Sequence, residues 1–427
     1  MSKKNFIKGT LILTLGGIIA RALGFLIRIL LINYTGTEEL GLFQLILPVC
    51  GICYALAISG YEISITRYVS YYKGKNNTGK GSAIALFCLK SSFLISVLLC
   101  IGLHILAPLI AQKTLHTGSG ALLLRIAVWS TPLSCIHCAV SAYYLGEDKP
   151  LTMVLLQISE QLIRIIAIVL LGKILHTALL CVISLLIGEI GASMLCIFTL
   201  FFAKNFNPDS KQKIKRREIT KTSFAISSNR VCLHAIQCIE APLIPMMLSM
   251  YGLTRSEALS LYGIITGMVF PVIMLGSTLA GSVAQMLIPS VSKIRHNRDR
   301  LKKSTESAFC FSMLFGIFCI IMLLFTANFI GNSIFHTPSA CRYIKSICFI
   351  CPLLYINTTY KSILHALGLT GRVFANSMLS ELIVIVSVVF GIPRHGIGAY
   401  LAGMMIAQAV YAVFNIILLT KYIKKIK

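Results

Sequence analysis

Long apolar runs follow one another along this chain, separated by short polar segments, and within the runs apolar residues are continuous rather than alternating. Twelve such runs are legible, at 7–33, 40–71, 82–111, 121–145, 151–171, 177–202, 222–250, 258–288, 308–330, 344–367, 373–392 and 397–423. Each holds about 20 residues or more, enough for a helix to cross a hydrocarbon core roughly 30 Å thick. The longer ones must tilt or project beyond the lipid. Strands of a membrane barrel alternate apolar and polar positions, and these runs do not. A backbone in lipid must satisfy its own hydrogen bonds, so helices are predicted throughout. The expected fold class is therefore an all-α polytopic membrane protein with twelve transmembrane helices.

Composition agrees with the pattern. Hydrophobic residues make up 56% of the chain and charged residues 12%, with a mean hydropathy of +0.84. The cations are unevenly placed. With the N-terminus set in the cytoplasm, 23 of the 39 Lys and Arg fall in the inner segments, 5 in the outer loops and 11 within the runs. This bias is the positive-inside signature and predicts that both termini are cytoplasmic. The net charge of +25 raises nucleic acid as a partner, yet the cations flank apolar runs and no soluble basic domain holds them. Anionic membrane lipid at the cytoplasmic loops is the expected partner instead. The basic start followed by an apolar run has the outline of a signal peptide. That run is too long and contains Arg21, so a retained first helix is expected.

Fifteen cysteines include the pairs Cys50/Cys53, Cys135/Cys138 and Cys348/Cys351. All three pairs lie inside apolar runs, without the further ligands a zinc site requires, so small buried side chains are expected rather than a metal or disulfide framework. No cofactor is expected.

The most basic segment, 204–221, divides six runs (1–203) from six (222–427). Residues echo across it. Ile158-Ser159-Glu160 recurs as Leu379-Ser380-Glu381, and Gly60/Gly281, Pro132/Pro352 and Pro48/Pro271 are similarly offset. Six runs per half give both halves one orientation, so they are expected to be parallel repeats, an arrangement found in alternating-access transporters.

Ionisable residues inside apolar runs carry the chemistry. A charge at the bilayer centre costs about 2.5–3.5 kcal/mol on insertion scales, so it requires a partner, water or a ligand. Arg21 and Arg28 are two helical turns apart in the first run and share a face. A guanidinium offers a planar fork suited to phosphate oxygens, so these two are the leading anion-binding candidates. Arg67 and Arg230 lie toward the cytoplasmic ends of the second and seventh runs. They can bind the same anion, snorkel to the interface, or pair with a glutamate. Glu189, Glu381 and Glu240, the last just before Pro242, are candidates for binding a coupling Na⁺ or H⁺. They can equally balance the arginines. Glu160 and Arg164, four residues apart, are expected to form a local pair. Lys90 and Lys361 are expected to snorkel, and Pro48, Pro132, Pro242, Pro271 and Pro352 are candidate kinks.

Arg21-Ala22-Leu23-Gly24-Phe25, Arg28, Gly36 and Gly41-Leu42-Phe43 resemble the opening of the stage V sporulation protein B and MurJ-like lipid flippases. These belong to the multidrug/oligosaccharidyl-lipid/polysaccharide exporter superfamily. The stretch from Gly60 to Arg67 resembles the same family, as do Leu261-Tyr262-Gly263, Gly267-Met268, Pro271 and 287–292. The resemblance implies two six-helix lobes around a central cationic cavity, in a monomer with no enzymatic activity. It implies translocation of an undecaprenyl-pyrophosphate-linked saccharide, such as lipid II or a related cell-wall or polysaccharide precursor, in vegetative or sporulating cells. Arg21, Arg28 and Arg67 match the family's cavity cations. Coupling to Na⁺, H⁺ or membrane potential is open. A cation-coupled multidrug exporter of the same architecture is the rival expectation. A glycosyltransferase or polymerase is disfavoured, because no loop exceeds about 20 residues and none carries an Asp-x-Asp cluster.

Overall fold

Apolar sequence becomes helix along nearly the whole chain. The structure, a computed structural model, describes residues 3–112, 120–203, 206, 216–277, 280–281, 284, 287, 291, 294 and 297–426. The first half contains α1 (Lys3–Ala57), α2 (Ser59–Gly74), α3 (Thr78–Ile110), α4 (Gly120–Val128), α5 (Ser130–Gly146), α6 (Pro150–Leu171) and α7 (Ala178–Phe201). After these come α8 (Arg216–Met250), α9 (Arg255–Gly263), α10 (Phe270–Leu275), α11 (Arg298–Asn328) and α12 (Pro338–Ile347). The chain ends with α13 (Cys351–Ala366), α14 (Thr370–Val386), α15 (Ile392–His395) and α16 (Ile397–Lys425).

Eleven helical stretches among the described residues are long and apolar enough to cross a membrane. The first, Leu11–Gly74, takes in both the first and second predicted runs. Its 64 residues would reach about 96 Å as one rod, three bilayer cores. Gly36 interrupts it with φ 80° and ψ 178°, a conformation that side chains essentially exclude. The remaining stretches correspond one to one with the other predicted runs. The later part of the eighth run falls largely outside the described residues, as do Lys204, Lys211, Lys213 and Lys215 of the basic segment.

Sequence signals set the helix ends. Asn77 caps α3 by accepting from the Lys80 amide at 3.1 Å, and Asn297 does the same for α11 at 3.0 Å. Thr254 and Glu257 form a reciprocal capping box at the start of α9. Prolines account for the irregular turns. Pro271 and Pro393 follow π-helical stretches, Ile264–Val269 and Ser387–Gly391, and Pro352 follows the 3₁₀ turn Cys348–Ile350. Each proline removes the bond to the carbonyl four residues back, and in all three cases that carbonyl lies within the irregular stretch.

The chain forms two compact units, Met1–Pro242 and Leu243–Lys427, so the division falls within α8. In the first unit α1 packs on α6, α6 on α7, and α3 on α2 and α5. Its core gathers Ile58, Tyr61, Ile65, Ile84, Cys88, Tyr143, Leu156 and Ile219. Loop contacts show which ends of the helices share a side. Lys73 reaches Asp148 at 3.2 Å, joining the α2–α3 and α5–α6 turns. At the opposite ends, the Ala178 amide donates to Glu39 at 2.6 Å. The spans therefore alternate in direction, as a membrane bundle requires.

In the second unit Gly316 lets α11 approach the Pro352 backbone so closely that an added Cβ would lie 2.4 Å from its Cα. Polar side chains link its helices: Ser312 with Thr359 at 2.7 Å, Asn357 to Gln408 at 2.8 Å, and Asn376 to Asn415 at 3.0 Å. Large apolar side chains such as Leu98, Ile105, Leu170, Phe198 and Phe325 remain exposed. An apolar surface of this extent belongs in lipid, and the protein is a multi-pass membrane protein.

Candidate functional site

In the first unit, helix α6 presents Glu160 and Arg164 one turn apart, and neighbouring helices bring further ionisable groups to them. From α5 comes His137, whose Nδ1 lies 3.4 Å from Glu160 Oε2 and 3.7 Å from Glu189 Oε2 of α7. One nitrogen and one oxygen from each carboxylate fall within 4.8 Å of one another. His137 and Glu189 are buried, and Glu160 is mostly so. The Ser134 hydroxyl, one turn before His137, donates to Glu189 Oε1. Gln161 donates its amide to Glu160 Oε1 at 3.1 Å. Glu189 Oε2 and Arg164 Nε are buried with no hydrogen-bond partner.

His137, Glu160 and Glu189 share one depth. Counted along their helices, His137 is about 14 Å from the Gly146 end, Glu160 about 15 Å from Pro150, and Glu189 about 18 Å from Phe201. In a core roughly 30 Å thick, this places them near the middle.

Arg28 of α1 is half-buried and close enough to Arg164 for the two cations to repel. Arg21 lies two turns earlier on the same helix and is exposed. Arg230 on α8 is paired with Glu62 on α2, Nη1 to Oε2 at 3.5 Å, with both side chains partly exposed. Arg67 is exposed on α2, its guanidinium 5.9 Å from the centroid of the Tyr68 ring. Glu240 is half-buried on α8, ten residues beyond Arg230. Glu381 belongs to the second unit. It is half-buried on α14 next to Ser380, which donates to the Ala407 carbonyl at 3.1 Å.

The structure thus brings Glu189 to Glu160, and Arg28 to Arg164, while Arg230 takes Glu62 as its partner. Glu160 and Arg164 attract one another along α6 as expected, and the Glu160 carboxylate also faces His137 across the helix interface. His137 itself was not anticipated. Its trace in the sequence is slight: the run that holds it also carries Arg125, Ser130, Thr131, Ser134 and Ser141, so one more polar residue does not stand out. The three Cys-x-x-Cys pairs are free thiols, five of the six cysteines buried and Cys138 partly so. Cys138 Sγ meets the Tyr54 hydroxyl at 3.2 Å.

Second-unit residues that echo the first do not reproduce this cluster. Glu381 echoes Glu160 in the sequence, but among the described residues no cation neutralises it.

Comparison with known proteins places this geometry in context. Residues 6–295 match the family described as "Polysaccharide biosynthesis protein". The chain is 25% identical over 400 residues to stage V sporulation protein B of Bacillus subtilis (strain 168), covering 90% of this chain and 77% of that one. It is 28% identical over 316 residues to the uncharacterized membrane protein YabM of the same organism, covering 70% and 58%. Among solved structures, the fold is similar to the inward-facing conformation of a multidrug resistance MATE family transporter of the MOP superfamily. That likeness has a TM-score of 0.80 over 95% of each chain at 12% identity. A MOP superfamily transporter from Pyrococcus furiosus, described as having reversed polarity of its binding pocket, is similar with a TM-score of 0.70 at 14% identity, covering 98% and 96%. With well over half its length matched, and with a MOP-type fold, this chain belongs to the polysaccharide biosynthesis protein family.

Proposed function

We propose that this protein is a flippase that moves an undecaprenyl-pyrophosphate-linked saccharide across the membrane by alternating access. Lipid II or a related cell-wall or polysaccharide precursor is the proposed substrate. One observation carries the reading: Arg28 sits in an apolar span beside a second guanidinium, Arg164. Glu160 and Glu189 face Arg164, and a guanidinium at membrane depth on α1 is a site that a diphosphate entering along that helix can engage. Arg21, on the same helix face, extends that site along α1. A diphosphate has oxygens enough for two guanidinium forks, and its polyprenyl tail stays in lipid. Membership of the polysaccharide biosynthesis family supports this substrate class.

In this mechanism the arginines bind and orient the headgroup, and no covalent step is required. Arg230, tied to Glu62, and Arg67, exposed beside Tyr68, are proposed as secondary contacts reached as the headgroup moves. Glu240, Glu189 and Glu381 remain the proposed carboxylates for ion coupling. The test is translocation of fluorescent lipid II in proteoliposomes. Wild-type protein is expected to move it, and Arg21→Ala with Arg28→Ala together is expected to reduce the rate at least tenfold. Unchanged transport in the double variant contradicts the proposed role of the arginines.

The likeness to multidrug MATE structures gives a second reading, a cation-coupled drug exporter. The same vesicles separate the two. Export of a cationic dye driven by an ion gradient, with no movement of lipid II, supports the second reading and contradicts the first.

A further inference from the structure

Three helices of the first unit bring one nitrogen and two carboxylate oxygens to a common point, an arrangement that headgroup binding does not use. We infer that His137, Glu160 and Glu189 bind one divalent transition-metal ion of the Zn²⁺ or Mn²⁺ class, through His137 Nδ1 and one oxygen of each carboxylate. The inference does not rest on the flippase reading, and its failure leaves that reading standing.

Separations select a metal ion over a direct hydrogen bond. His137 Nδ1 lies 3.4 Å from Glu160 Oε2 and 3.7 Å from Glu189 Oε2. An imidazole donating to a carboxylate would stand about 2.7–3.2 Å away. Around a tetrahedral ion bonded at about 2.0–2.2 Å, neighbouring ligand atoms stand roughly 3.3–3.6 Å apart. One atom from each of the three residues falls within 4.8 Å of the other two, so small side-chain rotations close the site on an ion. Glu189 is 9% exposed, and its Oε2 is buried without a hydrogen-bond partner. A buried acceptor normally meets a donor, and a metal ion satisfies this one where the surrounding side chains do not.

The outer contacts are those a metal site requires. Ser134 donates to Glu189 Oε1, and Gln161 to Glu160 Oε1. Each carboxylate is therefore fixed by one oxygen and presents the other. The ligands stand on α5, α6 and α7, which pack against one another, so helices rather than loops set their spacing. Donor type sets the class of ion. Imidazole with two carboxylates suits Zn²⁺ or Mn²⁺, whereas Mg²⁺ and Ca²⁺ favour oxygen alone. Cys196 lies near both carboxylates, and Cys135 and Cys138 lie near Glu189. Among the described residues no thiol belongs to the convergent group.

Ligation requires both carboxylates deprotonated, so a proton held by either is released to solvent as the ion binds. Arg164 faces both carboxylates and adds a positive charge at the site. That charge disfavours a second metal ion and favours an anionic fourth ligand from solvent, such as chloride or hydroxide, at the position three protein ligands leave open. Glu160 keeps part of its side chain exposed, which leaves the ion and its fourth ligand a way in.

The test uses the full chain, free of any affinity tag, in detergent micelles after chelation. Zn²⁺ is added, and bound metal is measured by elemental mass spectrometry after gel filtration. Close to one Zn²⁺ per chain is expected, with a raised thermal midpoint, since the ion binds only the folded helices. Ser134→Ala is expected to weaken binding about tenfold, and Glu160→Gln with Glu189→Gln to abolish it. No stoichiometric uptake by the wild type overturns the inference. So does undiminished uptake by the double variant, or displacement of Zn²⁺ by an equal concentration of Na⁺. If the double variant does not fold, X-ray absorption of Zn²⁺ on the wild type decides. Nitrogen and oxygen neighbours alone are expected, and a sulfur neighbour would move the ion to the thiols and overturn the assignment.

Discussion

Replacing Arg28 by lysine separates charge from shape. Lysine keeps the positive charge beside Arg164 but loses the planar fork, so it presents a point charge to a diphosphate. Charge-assisted hydrogen bonds contribute about 1.5–3 kcal/mol each. Arg28→Lys is therefore expected to weaken binding of undecaprenyl pyrophosphate roughly tenfold, and Arg28→Ala a further tenfold, as read by titration in micelles. Equal affinity for all three proteins would remove Arg28 from the binding surface. At this scale the sequence was informative where a residue violated its surroundings. Arg28 and Glu189 stand out because charges in apolar runs demand explanation. His137 did not stand out, since a histidine in a span is unremarkable until a second helix places two carboxylates against it. The four-residue spacing of Glu160 and Arg164 described their attraction within one helix, but the further neighbour that Glu160 meets lies on another.

Helices and their junctions offer two sharper tests. Gly36 has φ 80° and ψ 178°, and a side chain forced into that region costs about 1–3 kcal/mol. Gly36→Ala is expected to lower the thermal midpoint in detergent by a few degrees, and no loss would mean that the turn relaxes freely. A more severe effect is expected at Gly60. An added Cβ there would lie 1.9 Å from the Ser223 carbonyl oxygen. The same seam carries Ser64 against Ser223 at 2.7 Å and Ser59 against Ser227 at 3.2 Å. Gly60→Val must therefore separate α2 from α8, at about 1–3 kcal/mol, and is expected to lower the midpoint more than Gly36→Ala does. Span positions were legible because hydropathy reports directly on burial in lipid. The irregular turns were legible only as prolines. That Pro271 follows a π-helical stretch and Pro352 a 3₁₀ turn depends on how each helix recovers the lost bond, which the packing of neighbours decides.

For the molecule as a whole, the positive-inside bias predicts an orientation that fusions can read. Alkaline phosphatase fused after Lys427 is expected to be inactive, and fused after Lys173 to be active, since only the exported side supports its folding. The reverse pattern would invert the topology. Residue echoes led to the expectation of a duplication divided at 204–221, whereas the two compact units divide at Pro242, inside a span. What the echoes concealed is the difference in chemistry. Glu160 and Glu381 echo one another in the sequence, yet among the described residues Glu160 meets an imidazole and a second carboxylate and Glu381 does not.

Arg21 and Arg28 as the grip on a diphosphate is the claim from which transport and substrate class both follow. Native mass spectrometry with an equimolar mixture of undecaprenyl pyrophosphate and undecaprenol tests it most directly. The account predicts that the wild type retains the pyrophosphate in clear preference to the alcohol, and that Arg21→Ala with Arg28→Ala abolishes the preference. Equal retention of both lipids by the wild type, or a preference that survives in the double variant, would contradict it.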